Sequence, residues 1–185
     1  MVPEALPRMT KNGLVVDTEG WFVLNARESR WKNEGPLGRY ANFEGKRRFP
    51  QLGINISVLQ PGEAIGKYHR ENAQEGFLVI EGECLLIVEE RERPLKAWDF
   101  FHCPGGTEHI IVGAGVGPAI VVAVGARGRG ISGGPVYAVS KLAARYGASV
   151  EQETTDYAEA YAEIYADLPR SRIVPYEPGS LPGGD

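Results

Sequence analysis

The sequence predicts a mainly β fold, a small antiparallel barrel or sandwich, and three observations carry that expectation. First, from Phe49 to about Arg127 short runs rich in β-branched residues recur: GINISVLQPG, GFLVIEGE, CLLIVEE, AWDFFHCPGG, HIIVGAG and AIVVAVG. Second, Pro-Gly, Glu-Gly and Gly-Gly pairs break these runs at hairpin spacing. Third, several runs are apolar at consecutive positions, which predicts strands covered on both faces by a second sheet or by the terminal segments.

Three regions follow along the chain. Residues 1–48 form an irregular arm with a short strand expected at Trp21 to Leu24. Its Trp21, Phe22, Trp31, Tyr40 and Phe43 are too many aromatics for a disordered segment, so the arm is expected to pack on the barrel or on a partner subunit. Residues 49–127 are the barrel. Residues 128–185 comprise the rest of a glycine-rich connector, two helices and a tail, EPGSLPGGD, expected to be mobile. The first helix starts at Ser140, whose hydroxyl can cap free amides, and stops at Gly147. The second carries Tyr157, Tyr161, Ile164, Tyr165 and Leu168 at helical spacing, with Thr155 or Asp156 as cap and Pro169 as stop. That stripe reads as a packing face.

Composition excludes several function classes. The 185 residues suit one domain with a real core. A net charge of −4 provides no positive field to gather nucleic acid or anionic lipid. The longest apolar runs are far short of the roughly 20 residues that span a bilayer. The N-terminus MVPEALPRMTKNG lacks a secretion-signal pattern, so a cytoplasmic location is the default expectation. Cys84 and Cys103 are read as reduced core thiols, with Cys103 a weaker alternative as a soft ligand.

All three histidines, His69, His102 and His109, fall in the strand-rich region beside glutamates and turn glycines. Imidazoles gathered with carboxylates are what a divalent transition metal requires. On an extended strand His69 and Glu71 share a face. Glu75 opens the next strand after a short turn, and His109 begins a return strand after a Gly-Gly turn, so two hairpin mouths can meet at one end of a barrel. Gln74 and His102 are further candidates to line the cavity, and Phe77 and Phe101 are candidate apolar wall. His102 as a satisfied core histidine is the equal alternative. GAGVG, from Gly113 to Gly117, is a hairpin turn and not a dinucleotide loop, because Pro118 and a β-rich run follow it. GARGRG, with Arg127 and Arg129, reads as a connector ahead of an anion contact.

At these residues the chain resembles the cupin superfamily, whose two motifs can be written G(X)5HXH(X)3-4E(X)6G and G(X)5PXG(X)2H(X)3N. Glu75 followed by six residues and Gly82 fits the end of the first, and Pro104, Gly106 and His109 fit the second. The second motif's opening glycine is Trp98 here and its closing asparagine is Gly113. The HXH element departs further. Five residues counted from Gly62 place Tyr68 and Arg70 at the histidine positions, whereas three counted back from Glu75 select His69 and Glu71. A one-residue slip exchanges inside for outside. Guanidinium cannot ligate a metal, so chemistry favours His69, Glu71, Glu75 and His109 as the inner set. In the other register Arg70 points inward and the site favours an anion.

The resemblance implies a cupin-type β-barrel or jelly roll holding zinc, manganese, iron or nickel, with a small-molecule substrate and oxygenase or isomerase chemistry. It equally permits a non-catalytic sensor or binding module, with or without metal. No catalytic residue is assigned by the sequence. A homodimer formed through a sheet edge or the aromatic arm is also expected.

Overall fold

The computed structural model describes residues 1–45, 47–128, 133–166 and 172–183. In chain order its strands are β1 (Arg8–Thr10), β2 (Gly13–Val15), β3 (Trp31–Asn33), β4 (Arg39–Ala41), β5 (Leu52–Leu59), β6 (His69–Arg70) and β7 (Glu75–Glu81). They continue as β8 (Glu83–Val88), β9 (Arg91–Lys96), β10 (Phe100–Cys103), β11 (His109–Ala114), β12 (Ala119–Ala126), β13 (Val136–Tyr137) and β14 (Arg172–Val174). Three short helices, α1 (Lys141–Ala144), α2 (Tyr157–Ala160) and α3 (Ala162–Ala166), fall between β13 and β14. No helix among the described residues is long and apolar enough to cross a membrane.

Two antiparallel sheets build the barrel. One runs β10-β7-β12-β5-β4-β3-β14 and the other β13-β6-β11-β8-β9. Between them lie Leu59, Phe77, Val79, Leu86, Ile111 and Val121. The neighbouring residues on the same strands are apolar as well because each sheet is covered on its other face. Ile87, Ile110 and Val112 point outward under Tyr68, Ala138, Ala143 and Ala148. Val58 and Ile120 point outward under Trp31, Ala41 and Leu181. Fully burying each such side chain stabilises the fold by about 1.5–3 kcal/mol, so both terminal segments are integral to the barrel.

The turn glycine Gly82 between β7 and β8 has φ +77°, and a Cβ there would meet the Pro118 carbonyl oxygen at 2.4 Å. The last glycine of the first motif is thus demanded by backbone conformation and by close approach. Trp98, at the glycine position opening the second motif, keeps a left-handed backbone with φ 75°.

Three expectations are corrected. Residues 21–24 form no strand: Trp21 makes only an isolated bridge with Glu4, its N–H donating to Pro3 O and its carbonyl accepting from Ala5 N. Phe22 instead stacks on Phe49; the arm's strands are a separate β1–β2 hairpin before this stretch and β3 and β4 after it, which extend the large sheet through β5. The tail is not loose, since Leu181 is buried and Tyr176 packs on Trp31 with ring centroids 5.9 Å apart. Two apolar side chains are enough to dock a segment rich in proline and glycine. The tyrosine helix is broken into α2 and α3 at Tyr161, whose φ −112° and ψ 10° leave the helical region. Its start is as expected, with the Asp156 side chain accepting from Ala158 and Glu159 N–H. Likewise Ser140 caps α1 and Gly147 follows with φ +64°. Arg129, Leu168 and Pro169 lie outside the described residues.

Candidate metal centre

His69 and His109 are directly paired residues on β6 and β11, and their rings lie 4.9 Å apart. Cross-strand partners share a face. That face is the barrel interior, because Ile111, two residues beyond His109, belongs to the inner core. Glu75 enters from the opposite sheet, two residues before Phe77, which is also inner. The register is therefore settled at β6: His69 faces in, while Tyr68 is fully buried outside the barrel beneath α1. Arg70 faces away and its guanidinium pairs with Glu108 at 2.6 Å and Glu153 at 3.0 Å.

One ligand atom from each of His69, Glu75 and His109 lies within 4.8 Å of the others. Each imidazole is held by the nitrogen turned away from the group. His69 Nδ1 lies 2.7 Å from Lys67 O and His109 Nδ1 lies 3.1 Å from Thr107 O. A carbonyl oxygen only accepts, so both Nδ1 atoms carry the proton and both Nε2 atoms present a lone pair. Such backbone anchors are what fix a ligating histidine's tautomer.

Glu75 completes the arrangement at electrostatic cost. Its Oε2 lies 3.4 Å from His109 Nε2 yet is buried with no hydrogen-bond partner. Burial, and then the nearby Glu71 charge, push its carboxyl up to about 7. Burial, and then the charge that His69 can carry, push His109 down to about 4. Each group is thus driven toward its neutral form when the other supplies no compensation. A divalent cation would relieve the carboxylate while leaving the imidazoles neutral, so the donor set fits one. Donors about 2.1 Å from a tetrahedral ion lie about 3.4 Å from one another, so the widest separation here, at most 4.8 Å, would need to close by up to about 1.4 Å.

The other candidates separate cleanly. Glu71 stands at the margin, a third exposed, with Oε1 3.9 Å from His69 Nε2. Phe77 and Phe101 stack at 5.8 Å and lie 5.3 and 5.8 Å from the His109 ring, forming an apolar wall. His102 is exposed, because alternation along β10 sends Phe101 and Cys103 inward and His102 out. Gln74 is exposed as well, with its backbone carbonyl accepting from Ala126 N–H at 2.9 Å. Cys103 Sγ sits 3.4 Å from His109 Nδ1, the nitrogen that does not face Glu75, and burial pushes its thiol up to about 12. A neutral thiol in that place is no ligand.

Sequence reasoning missed Tyr137 and Lys67. The Tyr137 ring lies 6.1 Å from His69 and 5.5 Å from Tyr161, and burial pushes its phenol up to about 12. Lys67 is buried with Nζ donating to Gly147 O at 2.9 Å and Ser149 O at 3.1 Å. It fixes the backbone whose carbonyl anchors His69. Neither residue stands in a motif or a periodic pattern that would have marked it.

The family model described as Cupin domain matches residues 55–125. No curated protein is similar to the chain. Similar solved structures include a sugar phosphate isomerase from a cupin superfamily of Silicibacter pomeroyi, 25% identical over 55% of this chain and 62% of that one, with a TM-score of 0.45. KdgF from Halomonas is 20% identical over 54% and 88%, with a TM-score of 0.46. An RmlC-like cupin family protein of Methanocaldococcus jannaschii is 22% identical over 44% and 74%, with a TM-score of 0.41. The chain spans less than two thirds of the isomerase's own length. The stretch that matches the Cupin domain model, residues 55–125, runs from β5 to β12 and carries His69, Glu75 and His109.

Proposed function

We propose that this chain holds one divalent transition metal through His69, Glu75 and His109 and acts on a small molecule that completes the coordination, as an enzyme of isomerase or oxygenase type. The observation that carries the reading is the buried, unpartnered Glu75 Oε2 facing two imidazoles whose protons are already committed to backbone carbonyls. An unpaired carboxylate in such a place costs several kcal/mol, and a cation is the partner that both offsets it and uses the two lone pairs. Two nitrogens and one oxygen suit zinc, manganese, iron or nickel.

When bound, the metal would supply Lewis acidity or activate oxygen. The chain's own groups divide the remaining work. Phe77 and Phe101 exclude water from the inner side. Tyr137, neutral at working pH, can donate a hydrogen bond beside His69. Glu71, a third exposed and next to His69, is placed to take or return a proton. The alternative reading, a binding or sensor module with the same metal, shares every group and differs only in turnover. Metal analysis of the purified chain against His109→Ala is the test: about one ion per chain, lost in the variant, is expected, and unchanged metal content in the variant would sink the proposal. A substrate screen of the loaded protein then separates enzyme from sensor.

We further propose a cytoplasmic homodimer. Trp31, the arm's central aromatic, is occupied in the chain's own core, so pairing through a sheet edge is favoured over a swapped arm; a monomer by light scattering would remove it.

A further inference from the structure

A cavity of about 490 Å³ opens where the arm meets the large sheet. Its wall includes Arg30, Lys32 and Arg48 from the arm, Asn55 and Ser57 from β5, and Arg127 just beyond β12. Asn55 and Ser57 have the same parity on β5 as Leu59, an inner-core residue, so they face the barrel interior. Four cations line this cavity against two carboxylates, Glu34 and Glu44, in a chain whose net charge is −4. Glu44 is already engaged, accepting from Arg127 Nη1 and, at 2.9 Å, from Phe49 N–H. The Arg127 guanidinium lies so close over Gly53 that a Cβ there would sit 2.6 Å from Nη2. Burial pushes the Glu34 carboxyl up, Lys32 opposing. Among the described residues, the side chains of Arg48, Asn55 and Ser57 make no hydrogen bond or ion pair, leaving a guanidinium, an amide and a hydroxyl for a ligand.

The cavity and the metal centre share the barrel. Asn55 pairs with Ala123 on β12, and Ala123 with Phe77 on β7, whose ring lies 5.3 Å from His109. On the other side Tyr161 lines the cavity and meets Tyr137, the neighbour of His69.

We infer that this cavity is an oxyanion subsite, holding the phosphate or carboxylate end of the small molecule whose other end reaches His69, Glu75 and His109. The inference rests on the proposed metal-centred function for the second end only; the anion site stands on its own residues. Guanidinium and ammonium donors with an amide and a hydroxyl are the complement of an oxyanion.

The test is calorimetric titration of the full, chelator-treated chain with inorganic phosphate and, separately, with malonate. Saturable binding of at least one in the millimolar range or tighter is expected, and the stronger of the two identifies the acid class. Arg48→Ser, at an exposed position that should not affect folding, and Lys32→Gln should each weaken binding about tenfold, whereas His109→Ala should leave it unchanged. Absence of binding by both anions, or equal binding by wild type and both arm variants, overturns the subsite. Loss of binding in His109→Ala alone also overturns it, by moving the anion to the metal centre. Metal stoichiometry measured on the same preparations reports separately on the metal reading.

Discussion

Two carboxylates that each place an oxygen out of solvent are treated in opposite ways. Glu44, 7% exposed, accepts from Arg127 and from the Phe49 amide, so its charge is matched by a cation and a backbone donor. Glu75 has its Oε2 buried without a partner, and its carboxyl is pushed up to about 7. A satisfied buried carboxylate ties segments together; here it joins the arm to the end of β12. An unsatisfied one is a standing cost that the fold carries, and it lies between the only two inward-facing histidines among the described residues. The contrast singles out Glu75 as the buried polar group that calls for an explanation beyond packing.

The largest expected effect comes from breaking the centre. Glu75→Gln keeps the shape but removes the charge, and metal affinity should fall by 100-fold or more, read by competition with a chromophoric chelator. The same substitution should stabilise the metal-free protein at pH 8 by about 1–3 kcal/mol, because it removes a buried charge with no partner. Glu44→Ala should do the reverse. It strands Arg127 and the Phe49 amide, costing about 2–4 kcal/mol, or roughly 5–15 °C in Tm, with metal stoichiometry unchanged. If both variants destabilise alike, the distinction between the two carboxylates is lost.

Only the Glu75 side of this contrast is legible in the sequence. Glu75, Gly82, Pro104, Gly106 and His109 are tied by spacing to turns whose geometry the chain must adopt, and the barrel and its ends follow from them. Chemistry favours His69 over Tyr68 at the inner position, and in the structure Tyr68 fills a separate apolar layer beneath α1. His102 could not be sorted, since whether an aromatic run such as Phe100-Phe101-His102 faces in or out depends on which neighbour lies inside, a tertiary fact. Tyr137, Lys67 and the Glu44–Arg127 pair join residues far apart in the chain without periodicity, so no local pattern marks them. The docking of Leu181 was hidden by the proline and glycine around it.

A subtler effect is expected from pH. The Glu75 carboxyl is raised in the fold from 4.5 to about 7, so its contribution to metal-free stability is full below about 4.5 and is lost as pH rises through about 7. His109 is lowered from 6.5 to about 4, so its contribution is present above about 6.5 and is lost as pH falls toward 4. Metal binding needs the carboxylate, so the gain in Tm on adding metal should grow as pH rises from about 6 to 8. Glu75→Gln should flatten that gain, and a wild-type gain independent of pH would contradict the assignment of Glu75 as ligand.

The smallest effect is expected at Glu71, and it sharpens the boundary of the centre. Its Oε1 is 3.9 Å from His69 Nε2, it lies outside the close group of three donors, and a third of its side chain meets solvent, which screens its charge. Glu71→Gln should therefore change metal affinity less than about threefold. It should also ease the push that Glu71 exerts on Glu75, moving the pH midpoint of the metal-induced Tm gain downward. A tenfold loss of affinity would instead make Glu71 a fourth ligand, because a solvent-screened charge acting from outside the coordination sphere cannot account for a change of that size.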